Sequence, residues 1–324
     1  MVKYGVPYKG SKNAIAEKII DMLPPAENFY DVFAGGGAIA QCAMESGKYK
    51  NVYANDIDGR ALRLFFAVAN GKLKNESRWI SREEFMKNRS LPIAEQDPYI
   101  ACCWSFGNNM IDYLYAQSIE PYKRAMHYAV VYDDWRPLDE LVPEQSTLVR
   151  EAVSRVRGVA SRRAAFGAWF KRAQKKGAGT ELAPLCRLEN LERLQSLDRL
   201  GGLRRFARFE ELATFKDYQG VEILPDSVIY CDPPYAGTSD YGDKKQISRF
   251  DYEGFYTWTL SQKCPVFISG YEMPGRFICV ASFDKTQQLA ANTTRVVKEN
   301  VYIPYHQTST VQKQLSLFDE GEWA

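Results

Sequence analysis

Strand and helix patterns alternate over the first seventy residues, and that alternation leaves few folds open. Residues 11–23 suit a helix closed by Pro24 and Pro25. Residues 28–33 (N-F-Y-D-V-F) read as a short strand, followed by Ala34-Gly35-Gly36-Gly37 and a helix over 38–46. A second strand spans 51–54 and runs into N-D-I-D, and a further helix covers 59–70. Strands that alternate with helices pair in parallel, because each crossover returns the chain to the same end of the sheet. From 76 to about 182 the rhythm is lost. It returns near Ala213, with strands expected at 227–231 and 265–269. The expected layout is an α/β sheet interrupted by an insertion.

The strand at 227–231 (S-V-I-Y-C) stops abruptly. Asp232 is followed by Pro233 and Pro234, neither of which can donate to a sheet ladder, and then by Tyr235. A carboxylate, two stiff carbonyls and a ring are left just past the strand's carboxyl end, the edge where open α/β sheets bind ligands. D-V-F-A-G-G-G, residues 31–37, puts a glycine-rich turn at the same edge, where glycines let a ligand approach the backbone. Its spacing is neither G-x-G-x-x-G nor that of a P-loop. About twenty residues later Asp56 follows the second strand. In nucleoside-binding sheets an acid there accepts hydrogen bonds from ribose hydroxyls. A tight turn and a helix-capping Asp would leave the same residues, but together the pair favours a nucleoside cofactor.

The 42 Lys and Arg nearly balance 40 Asp and Glu, so any affinity for nucleic acid has to come from local patches. One patch stands out. Residues 150–176 hold nine Lys and Arg against the single acid Glu151, interleaved with Phe166, Trp169 and Phe170. Upstream, W-S-F-G-N-N is aromatic and amide-rich. No apolar run approaches a membrane span, and M-V-K-Y-G-V-P-Y-K lacks the apolar core of a signal peptide. Seven cysteines without a CxxC pair and only two histidines argue against zinc. A reduced, cytoplasmic, metal-free protein is expected. From Leu188 to Leu212 a Leu or Phe recurs at every third residue. An α-helix turns that stripe by about 60° per step, so its shape stays open between an irregular stack and a helix.

Joined together, these blocks resemble the Dam-like N6-adenine DNA methyltransferases. P-Y-K-G-S-K, residues 7–12, is similar to that family's N-terminal block and implies Tyr8 and Lys12 at the cofactor. D-V-F-A-G-G-G implies Asp31, Phe33, Gly35 and Gly37 there, A-N-D-I-D implies Asp56, and K-D-Y, residues 216–218, implies Asp217 beside the cofactor's adenine. D-P-P-Y is similar to the catalytic tetrapeptide, implying Asp232, Pro233, Pro234 and Tyr235. The fold so implied is α/β, a Rossmann-like methyltransferase sheet with an inserted, mostly helical target-recognition domain. Residues 1–72 and 205–308 would form the core, 73–204 the insertion and 309–324 a flexible tail. The implied cofactor is S-adenosyl-L-methionine and the implied partner double-stranded DNA, with no membrane and a nucleoid-associated, cytoplasmic setting. The insertion shows no match to the family's recognition segment, so no target sequence is implied.

An exocyclic amine is a poor nucleophile because its lone pair is conjugated into the base. Asp232 and the Pro233 carbonyl can accept its two N–H groups and aim the lone pair at the methyl carbon. A carboxylate of ordinary pKa, about 4, does not deprotonate an arylamine beforehand. Tyr235 would stack on a flipped base. Arg155, Arg157, Arg162, Arg163, Lys171, Arg172, Lys175 and Lys176 would hold phosphates, and Asn108 and Asn109 would read base edges. In the tail, Q-L-S-L-F resembles the peptide that docks bacterial replication proteins on the sliding clamp, with Gln314, Leu315, Leu317 and Phe318 as its anchors. An N4-cytosine or RNA amino-methyltransferase on the same core, and a non-catalytic clamp-tethered DNA-binding protein, remain as rivals.

Overall fold

Six strands build one mixed sheet: β1 Ala26–Asp31, β2 Tyr49–Ala54, β3 Ser227–Cys231, β4 Val266–Gly270, β5 Phe277–Ala290 and β6 Thr293–Pro304. Their order is β2-β1-β3-β4-β6-β5. The first four are mutually parallel, whereas β6 runs antiparallel to both β4 and β5. The structure is a computed structural model and describes residues 4–73, 76–175, 188–190, 192–193, 200–235, 250–290 and 293–308. The expected parallel sheet is therefore present, and the long β5–β6 hairpin adds an antiparallel pair that the sequence pattern did not announce.

The helices are α1 Ala16–Met22, α2 Ala38–Ser46, α3 Arg60–Ala69, α4 Arg82–Ser90, α5 Pro98–Cys103, α6 Glu120–His127, α7 Arg136–Leu141, α8 Pro143–Val153, α9 Val159–Lys175 and α10 Tyr252–Ser261. Period-two alternation splits the strand residues between two apolar layers. Phe29, Val228, Tyr230 and Phe267 face α1, α2 and α3, while Tyr30, Ile229, Cys231 and Ile268 face α10 through Phe255. β1 continues through α2 into β2 on one side, and β3 through α10 into β4 on the other. The crevice between the carboxyl ends of β1 and β3 is thus the switch point of the sheet, where such folds bind ligands.

The helical insertion is built with recognisable stops. Ser81 and Glu84 form a reciprocal capping box on α4, and Asp97 caps α5, which opens with Pro98. Among the described residues, its apolar side chains form no core of their own. Trp104, Tyr115, Met126, Leu138, Val149, Phe166 and Phe170 belong to the same buried cluster as Phe29, Ile39 and Phe65.

The last part of the three-residue repeat has a simple solution, while Leu191, Leu194 and Leu197 lie outside the described residues. Leu200–Leu212 is a 3₁₀ helix. At three residues per turn, side chains three apart eclipse, so Phe206, Phe209 and Leu212 share a face. Phe206 and Phe209 are buried in the cluster that includes α3. Burial of a Phe side chain contributes about 1.5–3 kcal/mol, which offsets the weaker 3₁₀ hydrogen bonds.

Candidate active site

Asp31 is the last residue of β1 and pairs in register with Tyr230, so it lies beside Asp232, the first residue past β3. Between these two strand ends opens a cleft of about 590 Å³, within the range of small-molecule and cofactor sites. Tyr8, Lys12, Asp31, Phe33, Gly35, Asp56, Asp217, Asp232, Pro233, Pro234 and Tyr235 all line it. Of the expected cofactor residues, only Gly37 does not. It stands at the start of α2 with φ +74°, and a Cβ there would meet the Phe65 ring at 3.2 Å, so its role is to start the helix and admit Phe65.

The glycine turn is approached closely by the chain itself. Val6 N–H donates to the Gly36 carbonyl at 2.8 Å. A Cβ on Gly36 would lie 2.8 Å from both Tyr8 Cβ and the Val6 carbonyl, and one on Gly35 would lie 2.7 Å from the Tyr8 ring. Residues 5–8 are thereby strapped over the turn, and Tyr8 becomes a wall of the cleft.

Asn55 fixes the next wall. It is buried and uses its amide fully: Nδ2 donates to the carbonyls of Val32 and Lys216, and Oδ1 accepts from Thr214 Oγ1 and Lys216 N–H. That clamp joins β1, β2 and the returning segment, and places Asp56 and Asp217 at the rim. Asp56 Oδ2 accepts from Gly35 N–H at 2.8 Å, while Oδ1 accepts from Asp58 and Gly59 N–H at the start of α3. Asp56 thus braces the turn that leads into α3 and also lines the cleft. Burial raises its pKa, opposed by these backbone donors. Phe33 lies among Tyr218, Phe250 and Phe255 at ring separations of 5.6–6.0 Å. Phe250, Arg60 and Asp251 also line the cleft and had no motif to mark them.

At the other end stands a ring of charged and hydroxyl groups. Lys12 Nζ lies 2.6 Å from Asp232 Oδ2 and 3.7 Å from Glu299 Oε1, and 5.0 Å from the centre of the Tyr235 ring. Tyr235 OH lies 2.8 Å from Asp232 Oδ1 and also contacts Glu299 Oε1. Burial alone would lower the pKa of Lys12, but Asp232 and then Glu299 carry it above its ordinary value. Burial, reinforced by Asp232 and Glu299, pushes the Tyr235 phenol up, so it keeps its proton. Asp31 is also raised well above the usual carboxylate range, first by burial and then by Asp232. Its Oδ2 accepts from Ala40 N–H, while its buried Oδ1 has no hydrogen-bond partner among the described residues. Lys12 therefore sits on the Asp232 carboxylate, and Glu299 was not foreseen at all.

The expected DNA contacts divide. Asn108 and Asn109 line the cleft, but their amides are engaged within the protein. Asn108 Nδ2 donates to the Pro7 carbonyl, while Asn109 Oδ1 accepts from Ile111 and Asp112 N–H and its Nδ2 donates to Asp112. Through these bonds they build the loop and hold the strap. Arg162 is likewise structural, donating to the carbonyls of Val130 and Val131. Arg155, Arg157, Lys171 and Arg172 are exposed, and Arg163 is half-buried. Lys175 closes α9. Lys176 lies outside the described residues, as do Gln314, Leu315, Leu317 and Phe318. Among the described residues no helix is long and apolar enough to cross a membrane.

No curated protein matches the chain. Residues 8–136 match the family model of the D12 class N6 adenine-specific DNA methyltransferases, a stretch that holds Tyr8, Lys12, the glycine turn and Asp56 but ends before Asp232. Over residues 8–136 the chain is thus similar to the D12 class N6 adenine-specific DNA methyltransferase family, S-adenosylmethionine-dependent enzymes whose reaction is methyl transfer to N6 of adenine in DNA.

Proposed function

We propose that the cleft holds S-adenosylmethionine beside an adenine turned out of the duplex, and that Asp232 receives the amine. The observation that carries this reading is the meeting, at the switch point of the sheet, of a nucleoside-sized cleft and the Asp232 carboxylate. The residues suit the cofactor. Asp56 offers acceptor capacity to ribose hydroxyls, Phe33 and Tyr218 offer ring surface to an adenine with Asp217 at its edge, and the unsatisfied Asp31 Oδ1 suits an ammonium group. When bound, S-adenosylmethionine supplies an electrophilic methyl group on a sulfonium centre.

Asp232 and the Pro233 carbonyl then accept the two N–H groups of the amine, holding the nitrogen towards tetrahedral geometry with its lone pair in line. Pro233 and Pro234 keep that edge stiff. Tyr235 places its ring at the same mouth for the flipped base, a step needed because N6 is not reachable by this chemistry inside the stack. The exposed arginines of the α8–α9 region supply phosphate contacts. The tail peptide around Gln314 and Phe318 tethers the enzyme to a sliding clamp and raises its local concentration on new DNA.

The test is to incubate the protein with methyl-labelled S-adenosylmethionine and unmethylated genomic DNA, then digest to nucleosides. Label in N6-methyladenine is expected, and Asp232→Ala abolishes it while cofactor binding persists. Label in N4-methylcytosine, or loss of cofactor affinity in Asp232→Ala, overturns the assignment.

A further inference from the structure

The wall of the cleft that Tyr8 forms is held from the side of the helical insertion. The residues leading to it are tied down one after another. Tyr4 N–H donates to Asn13 Oδ1 at 2.7 Å, Gly5 N–H to Gln41 Oε1 at 2.7 Å and Val6 N–H to the Gly36 carbonyl at 2.8 Å. Pro7 has no N–H, so its carbonyl is the backbone group it can commit. That carbonyl accepts from Asn108 Nδ2 at 3.0 Å. The partners of Tyr4, Gly5 and Val6 all lie within the first 41 residues, whereas Asn108 is 101 residues further along the chain than Pro7.

A strained loop puts Asn108 there. Its φ is +58°, and that of Met110 is +60°, both in the left-handed region that side chains rarely adopt. Ser105 bridges to Tyr113, Phe106 N–H donates to the Asp112 carbonyl at 2.7 Å, and Asn109 Oδ1 accepts from Ile111 and Asp112 N–H, so the surrounding bonds over-determine the turn. Asn108, Asn109 and Met110 line the same cleft as Tyr8. Two requirements therefore meet at position 108. The backbone needs a residue that tolerates the left-handed region, as Gly, Asn and Asp do, and the Pro7 carbonyl needs a side-chain donor, which of those three Asn supplies at neutral pH. Lys12 has anchors of its own: its carbonyl accepts from Ile15 N–H, and its Nζ lies 2.6 Å from Asp232. Loss of the Asn108 bond is thus felt at Tyr8 and not at the Asp232 end of the cleft.

We propose that Asn108 is a positioning residue of the cofactor site: its amide pins the strap at Pro7 and so holds the Tyr8 ring as a wall of the cleft, which makes the grip on the cofactor depend on the insertion. This rests on the reading of the cleft as the S-adenosylmethionine site.

The experiment compares N108G and N108D with wild type. Both replacements tolerate the left-handed backbone, and both remove the donor. Calorimetry with S-adenosylmethionine gives Kd, steady-state methylation of duplex DNA gives kcat and the KM of each substrate, and amide exchange reports on Val6 and Tyr8. Both variants are expected to bind the cofactor about five- to tenfold more weakly, the scale of one hydrogen bond, with its KM raised alike and kcat at saturating cofactor nearly unchanged. Exchange at Val6 and Tyr8 quickens in both. If N108G binds the cofactor as tightly as wild type, the proposal is overturned. It is also overturned if N108D alone is weakened, since a carboxylate facing a carbonyl is then the cause, or if KM for DNA rises while cofactor affinity stands, since Asn108 then acts on the DNA. Should N108D fail to fold, N108G and the exchange rates decide. A wild type that binds no S-adenosylmethionine defeats the cofactor reading itself and this proposal with it, whereas the other outcomes leave that reading standing.

Discussion

Replacing Lys12 with methionine tests whether the ring around Asp232 is held together by charge. The substitution keeps an unbranched side chain of similar length in a site that is 5% exposed, and removes the ammonium that lies 2.6 Å from Asp232 and 3.7 Å from Glu299. Removing one partner of a buried ion pair costs about 3–5 kcal/mol, because the remaining charge is left uncompensated. Asp232 is 19% exposed, so water screens part of that loss and the lower end, about 3 kcal/mol, applies. For a chain of this size each kcal/mol lowers Tm by about 2 °C, giving a drop of about 6 °C. The sign of the pH dependence is also fixed. The pKa of Lys12 is raised in the fold, so its contribution is complete below the unfolded value near 10.5 and is lost only as pH climbs past the folded value. Thermal unfolding by calorimetry at pH 6, 7.5 and 9 should therefore show wild type and Lys12→Met separated by a constant gap. A gap under about 2 °C, or one that closes between pH 6 and 9, would refute the reasoning.

Asp31 has its carboxyl raised by burial, so the native state favours the protonated form and loses stability as pH rises through the raised value. Asp31→Asn should melt above wild type at pH 7 with no advantage below pH 4, by calorimetry across that range, and should weaken cofactor binding. Gly36→Ala would set a Cβ 2.8 Å from the Val6 carbonyl, and is expected to cost about 1–3 kcal/mol and to loosen the strap, seen as faster amide exchange at residues 5–8. Arg155→Ala and Arg157→Ala should each reduce the slope of log K against log salt by about 1 in DNA titrations, whereas Arg162→Ala should lower Tm and leave the slope unchanged. Deleting residues 309–324 should spare transfer on short duplexes and abolish clamp binding in a pull-down, while an inactive truncation would contradict the tether.

The sheet was legible because its strands obey local rules. The strand expected at 227–231 and the helix expected at 38–46 occupy those residues, since diproline and glycine end or start them within the sequence itself. The β5–β6 hairpin was not foreseen, and with it Glu299 stayed hidden. Its place at the site follows from register with β4, a long-range pairing that no local pattern announces. The loop-holding bonds of Asn108 and Asn109 were hidden for a related reason, because amides that hold a loop and amides that read a base look alike until their partners are known. The three-residue repeat was seen but not solved. Over Leu200–Leu212 the period itself was the answer, once a helix of three residues per turn is admitted for so long a run.

The order of strands in space sets a timetable for making the protein. β1 pairs with β2 soon after both leave the ribosome, but its other neighbour, β3, begins at Ser227. At 5–20 residues per second, the nearly two hundred residues between them take roughly 10–40 s to synthesise. For that interval the second edge of β1, and the apolar residues destined for both layers, have no native cover from β3. Sequestering that edge during translation, by a holding chaperone or by early collapse of the helical layer, is a condition for high yield, and slow growth at low temperature is the expected remedy where expression gives aggregates.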